Sequence, residues 1–161
     1  YKQIDESLDM IMNGKAAMVI PYDQTVLFLS EEQTVASLRA DSILEHLQLH
    51  SASYRRWLGR PSCGGLFFVN REVYLKCGGE NEHFYGWGPE DAERVRRMEI
   101  LGYPVGVNTE GPLYHLWHPR GDNSRFFNRQ LASNSRLELI RICNMDTKEL
   151  TDDVASWRNR K

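Results

Sequence analysis

Cysteine is scarce in this chain of 161 residues, and what there is cannot be paired locally: Cys63, Cys77 and Cys143 are widely spaced, with no CxxC. A disulfide framework needs an even set and a thiolate zinc site needs paired spacing, so neither is expected. The three read as buried or incidental thiols and point to a reducing compartment; the expectation is a cytoplasmic protein, with a membrane-peripheral full-length protein as the alternative. Long apolar runs are missing as well: none reaches the roughly 18 residues a membrane span requires. Nor does charge of one sign prevail. With 20 Lys and Arg against 22 Asp and Glu, the net charge of -2 gives no reason to expect a nucleic-acid partner. Internal repeats and low-complexity tracts are absent. The chain begins at Tyr1 without a methionine, which suggests a processed product or an excised piece.

What is present fits one domain with a real core, with 41% hydrophobic and 26% charged residues. Ile4, Leu8 and Ile11 recur at helical spacing and stop at Asn13-Gly14. Residues 17–20 read as a short buried strand ended by Pro21. Ser30 with Gln33 forms a capping box ahead of helical sequence running to about Leu49, with or without a break. Residues 51–62 look like loop. "GGLFFVN" reads as a strand entered by a glycine pair, and Asn70 caps a short helix that stops at Gly78-Gly79. A loop over 78–88 leads to a helix from Pro89 to Leu101, with Pro at its first position, Gly102 past its end, and Val95, Met98 and Leu101 as its apolar stripe. "YPVGVNT" and "PLYHLW" are short strands, and 122–161 reads as a C-terminal extension of one or two helices. The alternation predicts an α/β fold, a small mixed sheet with packed helices.

The stretch "FYGWGPEDAERVRRMEILGY" carries the chemistry. Acids in the first turn of a helix stabilise its dipole by about 0.3 to 1 kcal/mol each, which alone accounts for Glu90 and Asp91. Capping does not call for Phe84, Tyr85 and Trp87 interleaved with Gly86 and Gly88. Flat rings beside carboxylates suit a sugar, whose apolar face stacks while its hydroxyls donate to the acids. Glycines let such a loop approach a ligand closely. A carboxylate at the end of that platform can take a proton from a bound hydroxyl.

From Gly64 to Asp91, "GGLFFVNREVYLKCGGENEHFYGWGPED" resembles the C-terminal signature of the β-1,4-galactosyltransferase family and related bacterial family-2 glycosyltransferases. The likeness covers roughly residues 60–126. It implies the C-terminal, acceptor-side part of an A-type glycosyltransferase fold. It also implies a nucleotide-sugar donor such as a UDP-sugar, a saccharide acceptor, a divalent cation, usually manganese, and an inverting displacement. By match to the motif, Asp91 is the base and Glu90 binds the transferred sugar. Trp87 lies between donor and acceptor, with Tyr85, Gly86 and Gly88 in the same loop, and Gly64 and Gly65 admit the donor. Two departures stand out: Pro89 replaces a loop glycine, and Ala92 stands where many animal members carry a further acid. Ser62, two positions before the glycine pair, leans toward tolerance of N-acetylgalactosamine beside galactose.

His115 and His118 in "YHLWHPR" would face opposite sides of a strand unless the chain turns between them. The family places a histidine metal ligand after the catalytic helix, which implies His118 first and His115 as second ligand or alternative. Arg125-Phe126 resembles an acceptor-contacting pair, and Arg120 or Arg125 can meet phosphate, though a solvated surface position accounts for both arginines slightly better. The family's strand-terminal Asp-x-Asp is missing: Asp23 stands alone and Asp152-Asp153 falls in helical sequence. That absence keeps a second reading open, a non-catalytic carbohydrate-binding or structural module. A glycoside hydrolase using Glu90 and Asp91 ranks last, because neighbours on a helix point about 100° apart.

Overall fold

The computed structural model describes residues 2–121 and 128–157. Helix α1, Lys2–Met12, ends at Gly14, which adopts a φ of 69°. Strand β1, Met18–Ile20, is buried throughout and makes up the centre of a three-stranded sheet. It pairs antiparallel with β4, Phe68–Val69, and parallel with β5, Val105–Val107. Past Pro21 the chain enters β2, Val26–Phe28, which repeats the arrangement in a second sheet. There β2 pairs antiparallel with β3, Arg55–Arg56, and parallel with β6, Leu113–His115. The mixed α/β expectation is met, in two small sheets where the sequence suggested one. Strands β2 and β3 were not foreseen, and the stretch read as loop over 51–62 holds β3 and a 3-10 turn at Ser51–Ser53. Two or three residues are too few to show alternation.

Helices fill the long connections that parallel pairs require. Helix α2, Glu31–Leu38, opens with the Ser30–Gln33 capping box, and α3, Ile43–Leu49, follows after a break. Helix α4, Arg71–Lys76, starts where the Asn70 side chain accepts from the amides of Glu72 and Val73, and it stops at Gly78 and Gly79, both at positive φ. Helix α5, Glu90–Ile100, begins one residue later than expected: Pro89 is its N-cap, without a side-chain capping bond. The C-terminal segment forms two helices, α6, Arg129–Cys143, and α7, Thr147–Trp157. Among the described residues no helix is long and apolar enough to cross a membrane.

Helix α5 is the pivot of the packing. Met98 joins Met18 and Cys77 in the central cluster, while Ile100 and Leu101 pack on Ile142, Leu150 and Val154 of α6 and α7. Between these clusters lies a buried ion pair. Arg97 Nε donates to Glu93 Oε1 at 2.7 Å, Nη2 donates to the Gly79 carbonyl at 2.8 Å, and Nη1 donates to the Cys77 carbonyl. The guanidinium also sits 5.3 Å from the ring centre of Trp157. Burial pushes the Glu93 carboxyl up from its ordinary range, and Arg97 pulls against that shift. One face of α5 is thereby fastened to the turn that precedes the aromatic loop.

Candidate functional site

A cleft of about 820 Å³ opens beside the carboxyl ends of β2 and β6. Its walls come from the glycine loop at 62–65, the mouth of α5 and the segment 115–120. That volume suits a sugar-sized or larger ligand. Glu90, Asp91, Trp87, Gly88, Gly64, Gly65, His115 and His118 all line it, whereas Tyr85 and Gly86 lie outside the lining. Arg125 and Phe126 fall outside the described residues.

Asp91 is not a cap. Its Oδ1 accepts from Arg94 Nη1 at 2.7 Å, and its Oδ2 lies over Gly64, where a Cβ would come within 2.3 Å of it. Gly64 therefore gives its space to this carboxylate, a role distinct from the donor contact the resemblance implies. The Tyr22 hydroxyl, almost fully buried, donates to the Gly64 carbonyl and holds the loop from beneath. Arg94 is itself fixed on three sides. Its Nε and Nη2 donate to the two Glu80 oxygens at 2.9 Å each, and its guanidinium lies 4.4 Å from the Phe67 ring centre. Burial opposes the charge on Arg94, but the bonds from Glu80 and Asp91 outweigh it and hold its pKa above the usual value. Glu80 also accepts from the Tyr74 hydroxyl, and burial together with that acid pushes Tyr74 up to about 12. Sequence reasoning missed this chain. The Asp91–Arg94 spacing of three on a helix was a usable signal. Glu80, across a loop, gave none.

Glu90 presents the opposite condition. Its Oε2 is buried and has no hydrogen-bond partner among the described residues. Burial raises the carboxyl pKa against the pull of its own and the Gly88 amides, and the neighbouring charge of Asp91 raises it further. A buried acceptor left open in a cleft is a place for a ligand hydroxyl.

Exposed indoles flank the acids. Trp87 is 45% and Trp117 42% exposed, and both line the cleft. The Trp117 amide donates to Thr34 Oγ1 at 2.8 Å, which ties its backbone to α2. Behind it runs a stacked wall: Trp57 on Phe28 at 4.6 Å between ring centres, and Phe28 on His115 at 4.2 Å. Trp57, Phe28 and Trp117 were not picked out from sequence, because β2 and β3 bring the first two here.

Strand β6 ends at His115, so the chain does turn, and the two imidazoles stand 5.2 Å apart, tilted by 30°. His115 Nδ1 is buried without a hydrogen-bond partner among the described residues. His118 Nδ1 lies 3.0 Å from the Pro119 carbonyl; with the proton on Nδ1, the ring keeps Nε2 as a lone-pair donor. Two such nitrogens fit part of a divalent-cation site. Among the described residues no cluster of three or more His, Cys, Asp or Glu is arranged to hold a metal ion, so these two histidines alone do not make a complete site.

Residues 45–119, just under half of the chain, match a family model described as the N-terminal domain of galactosyltransferase. The chain is 34% identical to beta-1,4-galactosyltransferase 7 of Mus musculus and of Homo sapiens over 61 residues, 35% of this chain and 19% of each relative. It is 28% identical to the Drosophila melanogaster protein of that name over 82 residues, 45% of this chain and 26% of the relative. The chain thus spans about a fifth to a quarter of the length of the curated relatives it matches. No solved structure matches it.

Proposed function

We propose that the protein, whose residues 45–119 match a family model described as the N-terminal domain of galactosyltransferase, transfers a hexose, galactose or N-acetylgalactosamine, from a nucleotide sugar to a saccharide hydroxyl. The observation that carries this reading is the placement of Asp91 in the cleft, its Oδ2 over Gly64, with Trp87 lining the same cleft. An alcohol is a weak nucleophile, and partial loss of its proton to Asp91 lowers the barrier to displacement. The open oxygen of Glu90 accepts from a hydroxyl of the transferred sugar and fixes the ring that is being attacked. Trp87 and Trp117 offer flat apolar surface to the sugar faces. Attack from the side opposite the departing diphosphate inverts the anomeric centre. His118 and His115 would hold a divalent cation such as manganese, whose chemistry when bound is to neutralise charge on the diphosphate. The chain then supplies the acceptor side of a larger catalytic domain.

The test is Asp91→Asn in the full-length protein, assayed with a panel of nucleotide sugars and manganese. Transfer should be abolished while nucleotide binding persists, and near-normal turnover would refute the base. A second reading, a carbohydrate-binding module without turnover, is favoured by the lack of an Asp-x-Asp in the sequence. It predicts saccharide binding with no donor consumed by the unmodified protein.

A further inference from the structure

We propose that Arg94, held by Glu80, is a positioning residue that dedicates one oxygen of Asp91 to proton transfer. The inference rests on the reading of Asp91 as the base. A carboxylate rotating freely about its Cβ–Cγ bond offers either oxygen in many directions. Here that freedom is removed. Oδ1 is committed to Arg94 Nη1 at 2.7 Å, and Oδ2 is left over the bare Cα of Gly64. The step is then definite. The acceptor hydroxyl gives its proton to Oδ2 as its oxygen forms the bond to the anomeric carbon, and the bond from that carbon to the diphosphate breaks with its electron pair on the departing oxygen.

Arg94 can act as a stop because it is held on several sides. It is 5% exposed, both its remaining donor directions end on Glu80 at 2.9 Å, and its flat face lies against Phe67. Glu80 in turn accepts from the Tyr74 hydroxyl. A planar fork satisfies Asp91 and Glu80 together, which a lysine ammonium on a flexible stem does not. A purely structural ion pair would not need to end on the one carboxylate that lies over Gly64.

The experiment compares Arg94→Ala, Arg94→Lys, Glu80→Gln and Asp91→Asn in the full-length protein, measuring kcat and acceptor KM separately. A catalytic group misplaced by about 1 Å costs on the order of 100-fold in rate, so Arg94→Ala should lower kcat by ~10- to 100-fold with KM changed less than about twofold. Arg94→Lys and Glu80→Gln should fall between it and the unmodified protein. Guanidinium at millimolar concentration should restore part of the Arg94→Ala rate and none of the Asp91→Asn rate. If Arg94→Ala does not fold, the two conservative variants decide, since each keeps a polar group at the substituted position. Unchanged kcat in the Arg94 and Glu80 variants alongside an inactive Asp91→Asn overturns the positioning role and leaves the base in place. A fully active Asp91→Asn removes both.

Discussion

Replacing Gly64 by alanine puts a methyl carbon 2.3 Å from Asp91 Oδ2 and 3.1 Å from its Cγ. Ordinary contact begins near 3.4 Å, so the carboxylate must retreat by about 1 Å or swing away. It cannot retreat without disturbing the 2.7 Å bond to Arg94, which is itself held by Glu80 and Phe67. A displacement of that size costs on the order of 100-fold in rate, or about 2.7 kcal/mol of transition-state stabilisation. The fold should feel it far less: Gly64 is not at positive φ, and alanine at a compatible position gains about 0.4 to 1 kcal/mol through the unfolded chain. Gly59→Ala is the control in the same connection, because nothing lies within 4 Å of the place its methyl group would take. Initial rates of sugar transfer at saturating donor, with melting temperature measured in parallel, separate the two effects. A Gly64→Ala protein that melts normally and turns over at the rate of Gly59→Ala would refute the placement of Asp91 as the reacting group.

Glu90→Gln should stabilise the protein at neutral pH. The raised carboxyl pKa means that folding favours the protonated acid, so stability is greatest below the ordinary value of 4.5 and falls as pH rises through the raised one. A neutral amide escapes that loss: the variant should melt higher at pH 7, with the gap closing below pH 4.5, and a pH-independent gap would contradict it. Arg97→Ala strands Glu93 in the interior and should cost about 3 to 5 kcal/mol in denaturant unfolding. A loss under about 1 kcal/mol would deny the clamp its role. His118→Ala should weaken manganese binding by more than about 10-fold in titrations of the full-length protein, the loss that even an outer-shell partner brings, and an unchanged titration would remove His118 from the proposed metal site.

Local signals made much of the fold legible. The Ser30–Gln33 box, the Asn70 cap and the glycines at 78, 79 and 102 each act within one turn of chain, so composition at a few positions was enough. Strands β2 and β3 carry no such mark, being two or three residues long and, for β2, defined in part by a partner in β6 far along the chain. The same division holds in the site. Glu90, Asp91 and Trp87 lie close together in sequence and stood out. Gly64 could be singled out only as part of a pair, and the reason for it, the carboxylate of Asp91 on a later helix, is tertiary. Arg94 lay in plain view among the arginines of "ERVRR", with nothing local to say that its guanidinium would be buried against Glu80.

The indole at the last turn of α7 bears on events it never touches. Trp157 covers Arg97 and fills the space beside Gly78, and Arg97 grips the two carbonyls from which the aromatic loop departs. Damage remote from any sugar, such as trimming the final helix or swapping Trp157 for a small residue, should slacken the loop that carries Trp87. Such lesions would masquerade as defects in substrate handling, and a screen for lost turnover would collect them beside true hits in the cleft.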